Sequence, residues 1–194
     1  MENYKKNLHL LKENNVYSED MEHDACGVGI IASTEGKKSR KVVEYGIEAL
    51  KAVWHRGAVD ADGKTGDGAG IHVEIPKDFF IEKIQVTGHD YDNSEICVGM
   101  IFLPRNDYSA QESCKTIVES ELTKNNFSIY GWRQVPVNSK VLGEKALQTM
   151  PEIIQVLFKP NDPNLLDKNL ERKIYEIRKR IENKAFDASL NNFY

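Results

Sequence analysis

The spacing of hydrophobic residues changes repeatedly along the chain, and each change predicts a secondary-structure element. Alternating or continuous apolar runs of strand length predict strands over residues 26–32, 71–75, 96–103, 127–137 and 153–158. Apolar residues three and four positions apart predict helices over residues 41–55, 78–84, 109–126 and 170–186. This mixture predicts one α/β or α+β domain in which several strands are covered on both faces.

Short polar residues and glycines mark where the predicted helices begin and end. Asp78 and Ser109 are predicted to cap two helices, because a side-chain oxygen at that position accepts a hydrogen bond from a free backbone N–H. The helix over residues 41–55 is expected to bury one face and to end at Gly57. After the last helix, the aromatic pair Phe193 and Tyr194 looks like the opening of another strand.

The composition indicates a globular protein and excludes several classes of function. The chain has 194 residues, of which 40% are hydrophobic and 29% are charged, with a formal net charge of −4. It has no basic stripe for nucleic acid, no apolar run near the roughly 20 residues that span a bilayer, and no secretory signal. Cys26, Cys97 and Cys114 are odd in number and widely spaced, which suits a reduced compartment. We therefore expect a cytoplasmic protein that binds neither nucleic acid nor membrane.

The first candidate for chemistry is Cys26, at the head of the first predicted strand. Residues 1–25 read as a removable leader, and cleavage after Ala25 would give Cys26 a free α-amine. That amine has a pKa of about 7.7–8.0 and the thiol one of about 8.5, so the amine can accept the thiol proton near neutral pH. The thiol could also attack the Ala25 carbonyl and release the leader itself. From the pattern alone the favoured interpretation is a small apolar cysteine in a core, because a lone cysteine in an apolar run is more often a core residue.

The second candidate is the acidic, glycine-rich segment 58–70. Its Gly63, Lys64 and Thr65 end like a phosphate-binding loop, but position 58 is Ala where that loop needs glycine, and the segment joins helix to strand. The side chains that could bind a metal ion are His55, Asp60, Asp62, Asp67 and His72, without the spacing of an EF-hand. We favour a third interpretation, in which the glycines permit tight turns and the aspartates accept hydrogen bonds from exposed amides.

Three motifs taken together resemble a known family. They are CGVG at 26–29, HRGA at 55–58 and ADGKTGDGAG at 61–70, and YGWRQVPV at 130–137, LG at 142–143 and RKRIE at 178–182 agree with them. Over nearly its whole length the chain is similar to the N-terminal glutaminase domain of glutamate synthase large subunits, which is a class II glutamine amidotransferase domain. The resemblance implies an α+β fold of the N-terminal-nucleophile hydrolase type, a four-layer α/β/β/α sandwich.

The resemblance also implies an activity and residues for it. Residues 1–25 would be a leader, and residues 26–194 the N-terminal portion of a domain that hydrolyses glutamine to glutamate and ammonia. Cys26 would be the nucleophile and form a γ-glutamyl thioester. Arg56 would bind substrate or support the site through its guanidinium, with a purely structural role at the helix end as the alternative. Thr65, Gly66 and Asp67 match a family loop near the pocket, without individual roles.

The implied partners are glutamine and the remaining domains of a glutamate synthase large subunit, with a small subunit as a further candidate. Flavin mononucleotide (FMN) and an iron–sulfur cluster would belong to those other domains, and no cofactor to this chain. In the family an Asn-Gly pair supplies the oxyanion hole, and this sequence contains none, so we expect a truncated domain that is inactive alone. The alternative is a non-catalytic remnant that acts as an interaction module through an exposed sheet edge.

Overall fold

The chain divides into two units, each with most of its contacts internal. The computed structural model describes residues 6, 9–10, 12–13, 27–54, 57, 59–66, 68–190 and 192–194. The first unit comprises residues 1–58 and 68–71, and the second comprises residues 59–67 and 72–194. Among the described residues, no helix combines the length and the apolar composition needed to cross a membrane.

The first unit contains helix α1 (Arg40–Ala52). Ser39 caps it, since its Oγ accepts a hydrogen bond from the backbone N–H of Lys41 at 3.2 Å. The predicted helix is therefore confirmed, although it ends before the predicted stop at Gly57. The prediction that one face lies in a core is wrong, because none of its residues is buried.

The predicted strand at the start of the first unit does not form. Residues 27–32 carry no strand assignment, and Val28 and Ile30 are more than 90% exposed. A strand is stabilised by backbone hydrogen bonds to a neighbour, and the described residues of this unit provide no such neighbour. The apolar pattern of residues 27–32 therefore indicates a segment that is able to form a strand, but the described residues of this unit provide no second strand for it.

The segment before the second helix is also extended without being a strand. Residues 71–75 have no strand assignment, so the prediction of a strand there is wrong. Helix α2 (Lys77–Val86) follows, as predicted. Its N-cap is Pro76, however, and Asp78 lies in the first turn without capping the helix.

The second unit is built on a three-stranded antiparallel sheet. Its strands are β1 (Cys97–Leu103), β2 (Phe127–Gln134) and β3 (Glu152–Pro160), in the order β1-β3-β2. The three strands predicted in this part of the chain are confirmed. β3 is central and almost wholly buried, whereas β1 lies at an edge. The prediction of a doubly covered strand thus fails for β1, whose Met100 is about half exposed.

Three more helices complete the second unit. They are α3 (Tyr108–Lys124), α4 (Glu144–Thr149) and α5 (Asp167–Asp187). The N-cap of α3 is Asp107, whose Oδ1 accepts from the N–H of Ala110 at 2.9 Å, and the predicted cap Ser109 is already inside the helix. Ile177 and Ile181 of α5 are buried, as the periodicity predicted.

The two faces of the sheet pack against different helices. Val156 and Phe158 of β3 share a cluster with buried residues of α3 and α5, whereas Leu157 belongs to a second cluster with Phe80 and Ile84 of α2. This alternation is the one expected for consecutive strand residues. The α+β class is therefore confirmed, and the described residues form one small antiparallel sheet with helices packed on both of its faces.

The last two residues join the outer edge of β1. The N–H of Phe102 donates to the carbonyl oxygen of Tyr194, and the N–H of Tyr194 donates back to Phe102. Phe193 is 9% exposed and belongs to the larger core cluster. Phe193 and Tyr194 carry no strand assignment, so of the predicted strand opening only the two hydrogen bonds between Tyr194 and Phe102 are present, and they pair the edge of β1 at Phe102.

Candidate functional site

Two of the five candidate site residues, Thr65 and Gly66, can be placed in the structure. Cys26, Arg56 and Asp67 lie outside the described residues. Their roles therefore stay predictions from the sequence. The part of the site that the structure describes is the glycine-rich segment that carries Thr65 and Gly66.

Thr65 and Gly66 lie in a tight hairpin. Val59 and Gly66 form an antiparallel bridge, and the N–H of Asp60 donates to the carbonyl oxygen of Thr65 at 2.7 Å. At the tip, the N–H of Gly63 donates to the carbonyl oxygen of Asp60 at 2.9 Å. Gly63 has a φ of +69°, a conformation that glycine adopts without strain. The glycine at 63 is therefore required by the turn.

The carboxylate of Asp62 holds the hairpin closed. Its Oδ1 accepts from the backbone N–H groups of Lys64 at 2.9 Å and Thr65 at 2.7 Å. Its Oδ2 accepts from the hydroxyl of Thr65 at 2.5 Å. The hydroxyl bond, followed by the two amide bonds, holds the pKa of Asp62 well below its usual range. Asp62 is thus ionised at neutral pH and engaged with its own loop.

Asp60 has a second set of partners. Its carboxylate accepts from the N–H of Ala61 at 2.7 Å and pairs with the Nζ of Lys145 at 2.5 Å. The hydrogen bond from Lys145 is the main cause of the lowered pKa of Asp60, and the same contact raises the pKa of Lys145. The interpretation that aspartates of this segment satisfy exposed amides is therefore confirmed for Asp60 and Asp62.

The same contacts argue against phosphate binding. A phosphate loop needs free backbone amides, but those of Lys64 and Thr65 already donate to Asp62. Among the described residues, no group of three or more His, Cys, Asp and Glu side chains could hold a metal ion. His55 and Asp67, two of the candidate metal ligands, lie outside that part of the chain.

The hairpin packs closely on the start of α4. The Oγ1 of Thr65 accepts from the N–H of Ala146 at 3.4 Å, in addition to its bond to Asp62. A Cβ added at Gly143 would overlap Thr65 Oγ1 and Asp62 Oδ2 and would lie 2.5 Å from the backbone nitrogen of Thr65. Gly143 is therefore a contact residue of the hairpin. Sequence reasoning missed it, although it belongs to the LG pair that contributed to the resemblance.

A second polar cluster anchors the loop before β1 to the sheet. The hydroxyl of Tyr130 donates to Asp92 Oδ1 at 3.1 Å, and Lys159 pairs with the other oxygen of Asp92. Burial, followed by the bond to Asp92, raises the pKa of Tyr130, while the lysine holds the pKa of Asp92 well below its usual range. Tyr130 sits at a β-bulge, next to Gly131 with a φ of +148°. Tyr130 therefore stays a neutral phenol with a structural bond.

The two described cysteines are poor nucleophiles. Cys97 and Cys114 are free thiols, and both are buried. Burial raises the pKa of Cys97 to about 12 and also raises that of Cys114. Because the thiolate is the reactive form, neither residue fits the role proposed for Cys26.

Comparison with known proteins adds a family match and several relatives. A family model described as "Glutamine amidotransferases class-II" matches residues 26–194. The "Glutamate synthase [NADPH] large chain" of Azospirillum brasilense is 51% identical over 191 residues, which are 98% of this chain and 12% of that protein.

Two eukaryotic relatives match at lower identity. The "Ferredoxin-dependent glutamate synthase 2, chloroplastic" of Arabidopsis thaliana is 39% identical over 89% of this chain and 11% of its own length. The "Glutamate synthase [NADH]" of Saccharomyces cerevisiae is 35% identical over 99% of this chain and 10% of its own length. The chain thus spans 10–12% of the length of these curated relatives.

Proposed function

The chain belongs to the class II glutamine amidotransferases, and from this premise we propose that residues 26–194 form the glutaminase portion of a glutamate synthase. The observation that carries the proposal is where the family match begins. It starts at residue 26, the position of the cysteine that the sequence pattern singled out. The match, together with 51% identity to a glutamate synthase large chain, supports a leader over residues 1–25 and a nucleophile at Cys26.

The proposed reaction uses the thiol and the α-amine of one residue. After removal of the leader, the amine of Cys26 accepts the thiol proton, and the sulfur attacks the side-chain amide carbon of glutamine. The carbon–nitrogen bond breaks, and the amide nitrogen takes up the proton and leaves as ammonia. Water then attacks the γ-glutamyl thioester, which releases glutamate and restores the thiol. One glutamine and one water thus give one glutamate and one ammonia.

The remaining candidate residues support this site in the proposal. Arg56 supplies a fixed guanidinium for a carboxylate or for backbone carbonyls. Asp67 belongs to the family loop that also carries Thr65 and Gly66. Thr65 acts through the hairpin, because its hydroxyl already donates to Asp62 and accepts from Ala146. Gly66 closes the hairpin through its bridge to Val59.

Residues 1–194 alone are expected to turn over glutamine negligibly. The sequence contains no Asn-Gly pair of the kind that supplies the oxyanion hole in the family. Loss of one oxyanion-hole donor typically costs about 10²–10³ in rate. Efficient hydrolysis would then need donors from outside these residues.

The proposal assigns the redox cofactors and further partners to the rest of a glutamate synthase. The chain has three cysteines, one fewer than the roughly four that hold a typical iron–sulfur cluster. FMN and such a cluster would therefore belong to the other domains of the large subunit, with a small subunit as a further partner. The odd number of cysteines also supports a cytoplasmic location as part of the proposal, because it does not suit a framework of disulfides.

A second candidate function is a non-catalytic interaction module. The outer edge of β1 is able to pair with an extended segment, since Tyr194 of the same chain exchanges two backbone hydrogen bonds with Phe102 there. An edge that pairs in this way could take up an extended segment of a partner. This candidate predicts a retained leader and no selective reaction of Cys26.

Intact-mass analysis and thiol labelling separate the two candidates. The enzyme proposal predicts a chain that begins at Cys26 and reacts once with a diazoketone analogue of glutamine, at Cys26. Excess glutamine should slow this labelling, and a Cys26→Ser control should show none. If excess glutamine does not slow the labelling of Cys26, the enzyme proposal is wrong.

A further inference from the structure

A groove lined by polar and charged side chains lies between the end of α3 and the second half of α5. Its volume is about 430 Å³, within the range of about 300–1,000 Å³ that is usual for small-molecule sites, and it is open to solvent. All of its residues belong to the second unit, and the proposed glutaminase chemistry uses none of them. They are Glu121, Lys124, Asn125, Arg180, Asn183 and Lys184.

The carboxylate of Glu121 is the buried part of this groove. Its side chain is 5% exposed and pairs with the Nζ of Lys184. The hydrogen bond from Lys184 is the main cause of the lowered pKa of Glu121, and the positive charges of Lys124 and Arg180 also lower it, against the opposing effect of burial. Three cationic groups thus act on one carboxylate.

The charges that line the groove do not cancel. Glu121 balances Lys184, whereas Lys124 and Arg180 form no ion pair with any described residue. The lining therefore carries an excess of two positive charges, in a chain whose formal net charge is −4. A concave surface with an excess of one sign of charge concentrates ions of the opposite sign, so this groove attracts anions.

The end of α3 does not require these cations as hydrogen-bond donors. The backbone N–H of the C-cap Asn125 donates to carbonyl oxygens of the last turn, and its side-chain amide donates to the carbonyl oxygen of Glu121 at 2.8 Å. The N–H of Asn126 donates to the carbonyl oxygen of Thr123 at 3.1 Å. Among the described contacts, none joins a carbonyl of α3 to a cationic group of the groove. The cationic groups are therefore available to a ligand.

Asn125 also orients the guanidinium of Arg180. While the amide nitrogen of Asn125 donates to Glu121, its Oδ1 accepts from an Nη of Arg180 at 3.3 Å. This contact joins α3 to α5 and uses one of the five N–H groups of the guanidinium. The remaining N–H groups form a planar fork of the kind that binds two oxygens of a phosphate or a carboxylate at once.

We propose that this groove between α3 and α5 binds a phosphate group. Two uncompensated cations match the charge of about −1.5 to −2 that a phosphate monoester carries at pH 7, and they exceed the single charge of one carboxylate. Arg180 supplies the planar fork, Lys124 a second positive charge and Asn183 a neutral amide donor. The groove has room for the organic part of a phosphate monoester, and inorganic phosphate is the other source of the same group.

The test titrates the chain with phenyl phosphate, inorganic phosphate and acetate. Sodium chloride keeps the ionic strength constant, because salt screens the charges of exposed groups. The amide chemical shifts of the ¹⁵N-labelled chain are followed by nuclear magnetic resonance. We expect saturable shifts centred on residues 121–125 and 180–184, with phosphate bound about tenfold or more tightly than acetate. Tighter binding of phenyl phosphate than of inorganic phosphate would identify an ester as the ligand, and equal binding would identify free phosphate.

Two variants test the residues of the groove. Arg180→Gln and Lys124→Gln each remove one charged donor, and each should weaken phosphate binding about tenfold. Arg178→Gln is the matched control, since it makes the same change of charge on the same helix at a residue that pairs with Glu182 and does not line the groove. It should change the dissociation constant by less than roughly twofold.

Three results would overturn the phosphate site. The first is a set of shifts that do not saturate or that are centred elsewhere in the chain. The second is equal binding of acetate and phosphate, which would show that the groove does not select a doubly charged group. The third is an equal loss of binding in Arg178→Gln and Arg180→Gln, which would show that the overall charge of α5 attracts the anion. None of these results depends on Cys26, so the glutaminase proposal is tested separately.

Discussion

Phe102 and Tyr194 exchange two backbone hydrogen bonds across the outer edge of β1. The N–H of Phe102 donates at 2.7 Å and that of Tyr194 at 3.1 Å, which is the pattern of a hydrogen-bonded antiparallel pair. The neighbouring Phe193 side chain is buried in the core shared by the sheet, α3 and α5. The last residues therefore contribute to the packing of the second unit.

Replacing Phe193 by Ala should lower the free energy of unfolding by about 3 kcal/mol, because it removes a large buried ring. Tyr194→Phe is the matched control. Its side chain is 76% exposed and its backbone bonds are kept, so the change should stay within about 0.5 kcal/mol. Urea unfolding followed by tryptophan fluorescence measures both, and equal effects would show that Phe193 is not a core residue.

A methyl group at Gly99 should overpack the sheet. A Cβ there would lie 2.7 Å from Cγ1 of the buried Val156, so Gly99→Ala should cost about 1–3 kcal/mol. Val156→Ala alone should cost about 2 kcal/mol or more by leaving a cavity. The double variant should lose less than the sum of the two single changes, because each relieves the other. Additive losses in urea unfolding would contradict this contact.

The buried carboxylate of Glu121 should make stability depend on Lys184. The two groups form an ion pair, and this hydrogen bond is the main cause of the lowered pKa of Glu121, with contributions from Lys124 and Arg180. Because the pKa is lowered in the folded state, the stabilisation is present above the ordinary value of 4.5 and is lost as the pH falls below it.

Lys184→Met should therefore destabilise the fold by about 3 kcal/mol at pH 7, since it leaves a buried charge with fewer partners. The loss of stability on acidification below pH 4.5 should also become smaller than in the parent. Unfolding midpoints measured from pH 7 to pH 3 provide both values. In a Lys184→Met/Glu121→Gln double variant much of the loss at pH 7 should be recovered, and a double variant no better than the single one would count against the pair.

Cys97 and Cys114 should be inert in the folded chain. Burial raises the pKa of Cys97 to about 12 and raises that of Cys114, which disfavours the reactive thiolate of both residues. A Cys26→Ser chain should consume almost no thiol reagent at pH 8 in its native state and two equivalents after unfolding in guanidinium. Rapid native consumption would show that one of these residues is accessible.

Glutamine turnover by residues 1–194 alone should be negligible. The sequence lacks an Asn-Gly pair for the oxyanion hole, and one missing donor already costs about a hundredfold or more. Coupled detection of glutamate, with Cys26→Ser as the blank, measures the rate. Turnover clearly above that blank would refute the expected inactivity while supporting Cys26 as the nucleophile.

The helices are predictable because their signal is local. Apolar periodicity locates α1, α3 and α5 to within a few residues. Their caps are less predictable, since Asp107 and Ser109 both fit the composition of a cap and only the backbone shows which one accepts the hydrogen bond. Strands depend on a partner that the local sequence does not contain. β1, β2 and β3 pair with one another, whereas residues 27–32 and 71–75 have equally apolar patterns and form no strand.

The candidate site also has a part that local sequence predicts and a part that depends on a distant contact. The turn chemistry of Asp60, Asp62 and Gly63 follows from residue types only a few positions apart, and it is predictable from the sequence. The role of Gly143 depends on a contact with a hairpin about 80 positions earlier. No spacing rule along the sequence reports such a contact, because glycine is also a common N-cap residue where no distant segment approaches it.

The strand order also sets a sequence of events during synthesis. β3 lies between β1 and β2, although it is the last of the three to be translated. When β1 and β2 have left the ribosome, they cannot form their native ladder, because neither pairs with the other. Both apolar strands must therefore wait for residues 152–160, and during that interval their backbone groups and apolar side chains lack the partners that β3 provides.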